Sequence, residues 1–137
     1  MKKVYAATFT QTNAEVLVEV PDLNILTQGK DLVDAIEMAR DAIGLSIVTR
    51  QDLGDNIPDS TPKSGIDALK GAFAKEGNSI ISLVDVDLYE YRRKHDNRTV
   101  RRNVTLPNWL NLEAERAKIN VSRVLQEALM LKLGITK

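Results

Sequence analysis

The chain has 137 residues, 43% hydrophobic and 28% charged, with no cysteine; this excludes disordered and collagen-like chains, disulfide frameworks, thiol nucleophiles and zinc–thiolate sites, and suits the cytoplasm. The length allows one ordinary domain or two small ones, and a ~60-residue module buries only about 60% of its unfolded surface, so a small second module needs a partner. The net charge of zero hides an acidic body and a basic end: residues 1–91 carry 8 Lys+Arg against 15 Asp+Glu, residues 92–137 carry 11 against 4, which points to two modules, the basic one facing a polyanion.

The start, Met1-Lys2-Lys3-Val4-Tyr5, reaches polar Thr8 without a long apolar run, so neither a signal peptide nor a membrane anchor is expected there. Val4 to Val20 reads as two strands around the turn Gln11-Thr12-Asn13, with Val16, Val18 and Val20 on one face and Glu19 on the other. Pro21-Asp22 punctuates the chain, Leu23 to Thr27 gives a third extended run, and Gly29 breaks it before a helix. Over residues 31–47 the stripe Leu32, Ala35, Ile36, Ala39 and Ile43 has helical period, with Asp31 as N-cap. Residues 51–64, rich in Gly, Asp, Asn and Pro, predict a loop; Lys63 to about Gly77 predicts a short helix. Ser79 to Leu88 alternates as a strand.

The fold class is therefore α+β, with a β-β-β-α-β module over residues 1–91. Residues 92–99, polar and basic, predict a hinge, and residues 100–137 a separate module. That module holds one strand, Val100 to Leu106, stopped by Pro107, and two helices, Asn108 to Lys118 and Ser122 to Leu133, the second stopped by Gly134. One strand cannot satisfy its own edges, so pairing with the same strand of a second chain is expected, giving a two-fold homodimer. A tetramer of two such dimers is compatible with the sequence. Trp109, the only Trp, is expected to pack in that shared core, and His95, the only His, to be exposed.

Strand, proline, helix, polar turn and helix in about 40 residues is similar to the ribbon-helix-helix family of DNA-binding dimers, on Val104-Thr105-Leu106-Pro107-Asn108-Trp109-Leu110 and Asn120-Val121-Ser122-Arg123. In that family, alternate ribbon residues enter the major groove and the others the core. Apolar Val104 and Leu106 then face inward, with Val124, Leu125, Ala128 and Leu129 of the last helix completing the dimer core. Arg101, Asn103 and Thr105 face out as base readers: Arg suits guanine O6 and N7, Asn suits adenine N6 and N7, and Thr offers a hydroxyl and a methyl. Ser122 and Arg123 are expected to hold a DNA phosphate at the start of the last helix, with Ser122 as its N-cap.

The whole chain resembles the HicB antitoxin family. The residues concerned are Val20-Pro21-Asp22-Leu23, Thr27-Gln28-Gly29 with Lys30 to Arg40, Asn56-Ile57-Pro58, Val84-Asp85-Val86-Asp87-Leu88, and Asn120 to Leu129, in that order. The resemblance implies a degraded ribonuclease H-like N-terminal domain that masks a small ribonuclease toxin, HicA, and a C-terminal domain that represses the shared operon by binding operator DNA. No catalysis, cofactor or metal is expected, because the first strand, Val4 to Gln11, holds no acid. A working ribonuclease H-type site needs three or four acids around two divalent ions. Asp85 and Asp87 share one strand face, Asp22, Asp31 and Asp34 sit at a turn and a helix start, and the first strand has no acid. Three other readings stay open on the sequence: a stand-alone ribbon-helix-helix regulator with a ligand-sensing N-terminal domain, a metal-dependent nuclease, and a scaffold that touches no DNA.

Overall fold

A computed structural model of the protein describes residues 1–62, 65–67 and 70–135. The chain divides into two compact units, Met1–Arg98 and Thr99–Lys137.

Among its described residues the first unit has one antiparallel sheet, two α-helices and a short 3-10 helix, Pro21–Leu23. Strands β1 (Lys2–Gln11), β2 (Val16–Val20) and β3 (Ile25–Gly29) form the expected meander, and β4 (Asn78–Asp87) returns beside β1, giving the order β3-β2-β1-β4. The first turn is built by Thr12, whose Oγ1 accepts from the N–H groups of Ala14 (3.2 Å) and Glu15 (3.0 Å). Register sets Phe9 opposite Val18, Val18 opposite Thr27 and Tyr5 opposite Val84. Tyr5, Ala7 and Phe9 therefore share a face with Val16, Val18 and Val20, all buried. The other face of β1 is buried too, at Ala6, Thr8 and Thr10. On that side the Ala72 N–H donates to Glu19 Oε1 (3.0 Å). The short helix expected from Lys63 to about Gly77 lies partly outside the described residues; from Lys70 to Glu76 the chain makes successive turns, with the N–H of Lys70 donating to the Asp67 carbonyl and that of Glu76 to the Phe73 carbonyl.

Between β3 and β4 runs helix α1 (Leu32–Leu53). Ala35, Ala39, Ile43 and Ile47, four residues apart, form its buried stripe against the sheet. Each fully buried Ile contributes roughly 1.5–3 kcal/mol. Asp31 caps it as expected, accepting from the Asp34 N–H at 2.8 Å, while Asp34 Oδ2 accepts from the Lys30 N–H at 2.8 Å. The helix runs on through Leu53, into the segment expected to be a loop, because its stop is Gly54 in the left-handed region (φ 73°). Gly29 is needed for a different reason: a Cβ there would collide with the Ala35 backbone.

A second helix, α2 (Leu88–His95), corrects the expected hinge over residues 92–99, because Arg92 to His95 are helical. Asp87 Oδ1 caps it, accepting from the N–H groups of Tyr89 (3.0 Å) and Glu90 (3.3 Å). The Tyr91 ring packs where a Cβ on Gly44 of α1 would be, and Arg92 donates to Gln51 Oε1 and Asp52 Oδ1, both at 3.0 Å. Beyond α2, Asp96 takes Arg98 Nε and Nη2, both at 2.9 Å. These bonds hold the Asp96 carboxyl down at about 2. A depressed carboxylate stabilises the folded form above its unfolded pKa of about 4 and loses that contribution as pH falls towards 2. We therefore expect a carboxyl titration by NMR to place the Asp96 midpoint near pH 2, and Arg98→Ala to return it to the usual range.

The second unit holds α3 (Asn108–Arg116) and α4 (Val121–Leu133). Pro107 precedes α3, and Gly134 in the left-handed region (φ 70°) ends α4. Between the helices Lys118 also adopts the left-handed region (φ 53°), and its N–H donates to the Glu115 carbonyl at 3.0 Å while that of Ile119 donates to the Ala114 carbonyl at 3.1 Å. The expected strand Val100 to Leu106 makes no ladder with any described residue of the chain.

Candidate functional site

The second unit has no buried residue among those described. Val104 is 51% exposed, Trp109 66%, Val124 50% and Leu129 51%. Leu106 and Ala128 are exposed as well, and Leu125 is half-buried. A 39-residue module with no buried side chain among its described residues has no core of its own there. The packing expected of Trp109 is absent from the single chain.

Arg101, Asn103 and Thr105 are exposed and lie on the segment before Pro107, alternating with Val104 and Leu106, which are exposed too. One chain therefore does not separate an inner from an outer ribbon face. Ser122 and Arg123 sit in the first turn of α4, both exposed. The expected N-cap is corrected by two residues: Asn120 Oδ1 accepts from the Arg123 N–H at 3.2 Å, so Asn120 is the cap and Ser122 lies inside the helix. The signal was in the sequence, since Asn is as good a cap as Ser. Arg123 is paired along the helix, its Nε donating to Glu127 Oε1 at 3.2 Å, an exposed pair that a phosphate can displace at little cost.

In the first unit each candidate acid has a local structural task. Asp22 accepts from the Thr61 N–H (2.7 Å) and hydroxyl (2.5 Å), tying the loop after α1 back to the sheet. Tyr5 helps, its hydroxyl donating to the Pro58 carbonyl at 2.6 Å; burial, with Asp22 and Asp59 nearby, raises its pKa. Asp31 and Asp34 make the start of α1. Asp85 pairs with Arg40 at 3.1 Å and Asp87 caps α2. Among the described residues no three His, Asp or Glu side chains come together as a metal site. An open cleft of about 480 Å3 lies between α1 and α2, lined by Glu37, Arg40, Asp41, Asp87, Tyr91 and His95. His95 is half-exposed as expected, stacked on Tyr91 (ring centroids 4.3 Å apart) and 3.7 Å from Asp41. Burial first, then Asp41, raises the Tyr91 pKa. No helix among the described residues is long and apolar enough to cross a membrane.

The sequence profile of HicB-like antitoxins of bacterial toxin-antitoxin systems matches residues 5–128, across both units. The chain belongs to the HicB-like antitoxin family. Solved structures agree on the fold of this HicB-like chain. One is a chain of a toxin-antitoxin complex from Streptococcus pneumoniae, 22% identical, with a TM-score of 0.62, covering 96% of this chain and 99% of that one. Another is the antitoxin HicB of Burkholderia pseudomallei, also 22% identical, with a TM-score of 0.50, covering 96% and 97%. Comparison with curated proteins gave no match. The α+β class expected from the sequence holds; the four-stranded antiparallel sheet, in which the last strand pairs with β1, is what the structure adds, and the fold matches these neighbours.

Proposed function

We propose that this HicB-like protein is the antitoxin of a HicA-type pair: its first unit, a ribonuclease H-like domain without catalytic function, masks a small ribonuclease toxin, and its second unit pairs with a second copy as a ribbon-helix-helix dimer that represses the operon. The observation that carries the DNA-binding half is that no described residue of 99–135 is buried. Val104, Leu106, Val124 and Leu129, all exposed in the single chain, become a core when two ribbons pair and four helices close over them. The same pairing supplies the ladder that residues 100–106 lack. Arg101, Asn103 and Thr105 then line the outer face, aimed at base edges, and the start of α4, with Ser122 and Arg123, holds a phosphate.

For the toxin-binding half, the support is the family itself, with the charge of residues 1–91, 8 Lys+Arg against 15 Asp+Glu. An acidic surface speeds and orients association with a basic, RNA-binding partner. The S. pneumoniae neighbour comes from a toxin-antitoxin complex, and a toxin partner is the reading we carry to this chain.

Base reading is tested at the ribbon. Arg101→Ala or Asn103→Ala is expected to weaken operator binding by ~1–3 kcal/mol and to relax sequence preference at one position, measured by titration of operator and scrambled duplexes at one salt concentration. Unchanged affinity and selectivity in both variants would sink the ribbon assignment.

A further inference from the structure

Trp109 is the chain's only tryptophan, and it is 66% exposed in the first turn of α3. The core packing expected of it suits its place on the helix poorly. Residues four and seven positions on share its side of α3, and these are Glu113 and Arg116, an ion pair at 3.2 Å whose side chains are 61% and 75% exposed. Leu112 lies at the border of that charged stripe. The apolar stripe is a different one, Leu110, Ala114 and Ala117, and Ala114 is the one residue of α3 that is not exposed. A core that took in α3 along the Trp109 stripe would have to bury the charges of Glu113 and Arg116 with it.

Two features set what the indole meets instead. Side chains on an α-helix lean towards its N-terminus, so that of Trp109 leans back over Pro107 towards the ribbon residues. Four residues separate it from Thr105, and four residues span at most about 14 Å, against a major groove about 12 Å wide. With Thr105 at the base edges, the phosphates along the wall of the groove come within reach of the Trp109 ring. The surroundings favour the same partner, since residues 92–137 carry 11 Lys+Arg against 4 Asp+Glu.

We infer that Trp109 is a neutral contact to the DNA backbone at the edge of the groove, its ring against a deoxyribose and its Nε1–H donated to a phosphate oxygen, once from each copy of the dimer. The inference rests on the DNA-binding reading above and adds a residue to it. Such a contact raises affinity without reading sequence, and moves Trp109 from the shared core to the nucleic-acid surface.

Because the chain has one tryptophan, its fluorescence reports this position alone. In the free full-length protein the emission is expected to be that of a water-exposed indole, open to quenching by acrylamide, and operator duplex is expected to shield it. Full-length Trp109→Phe keeps an apolar ring but no N–H. It is expected to keep its mass in light scattering and to lose affinity ~10-fold for operator and scrambled duplexes alike, as the loss of two neutral hydrogen bonds per dimer would give. Its salt dependence should match that of the natural protein, because a neutral group releases no counterion, whereas Arg123→Ala should flatten the slope of log affinity against log salt by about 2 per dimer. Emission already shielded in the free protein puts Trp109 in the core and overturns the inference, as does emission that operator leaves unchanged. Shielding by the co-encoded basic protein but not by operator gives the surface to that partner and overturns it too. Natural protein that binds neither duplex removes the DNA-binding reading and this contact with it; natural protein that binds operator while Trp109 stays open to acrylamide removes this contact alone.

Discussion

Leu106→Asp is expected to separate the C-terminal units and abolish operator binding. Leu106 is 38% exposed in the single chain, next to Pro107, and the second unit holds no buried residue among those described. Its stability therefore depends on what a second copy covers. An aspartate at that position places an unpaired charge in the shared core, at about 3–5 kcal/mol for each uncompensated buried charge, and two-fold symmetry applies the cost twice. Such a loss exceeds what a small interface supplies. Light scattering should show loss of the C-terminal dimer, and operator affinity should drop at least 100-fold. A protein that keeps its dimer and its operator complex would refute the inward placement of Val104 and Leu106.

The second large effect concerns Gly44, in the middle of α1. Helix propensity alone predicts that Gly44→Ala stabilises the protein by about 1 kcal/mol. The structure predicts the opposite sign, because a Cβ at Gly44 would overlap the Tyr91 ring of α2. Displacing a packed side chain costs typically ~1–3 kcal/mol, so the expected net result is a loss of up to about 2 kcal/mol in denaturant unfolding. In a Tyr91→Ala background the collision is gone, and Gly44→Ala should then stabilise by about 1 kcal/mol. The swing, about 3 kcal/mol at most, is a coupling energy of the size found between residues in contact. A stabilising Gly44→Ala in the otherwise natural protein would mean that α2 does not pack on α1 as described.

Much of the first unit was legible because its patterns are local. Val16, Val18 and Val20 alternate and lie buried on one face, and Asp31 caps α1 from the position its chemistry suggests. Helix α2 was not legible: Tyr91-Arg92-Arg93-Lys94-His95 looks like a solvated linker because its one large apolar group is a single tyrosine. It is helical because Asp87 caps it, Tyr91 finds Gly44, and Arg92 finds Asp52. Each of these partners except Asp87 lies about 40 or more residues away, beyond any pattern within a window. Helix α1 outran its expected end for a simpler reason, since the residue that stops it, Gly54, lies past a polar stretch that resembles a loop.

For the candidate sites the division is similar. The acids Asp85 and Asp87 share a strand face in the sequence; tertiary structure assigns Asp85 to Arg40 and Asp22 to Thr61, while Asp87 caps α2 through Tyr89 and Glu90, two and three residues on. By itself the sequence determined the two-part organisation, the acidic-to-basic change of charge, the three-stranded meander and the family, because period, punctuation and motif order are all carried within short stretches. Tertiary structure alone decided that β4 lies at the sheet edge among the described strands, that α2 docks on a glycine of α1, and that no residue of 99–135 is fully buried in a single chain. Those properties depend on which distant surfaces meet, and burial is a property of the meeting, not of the residue.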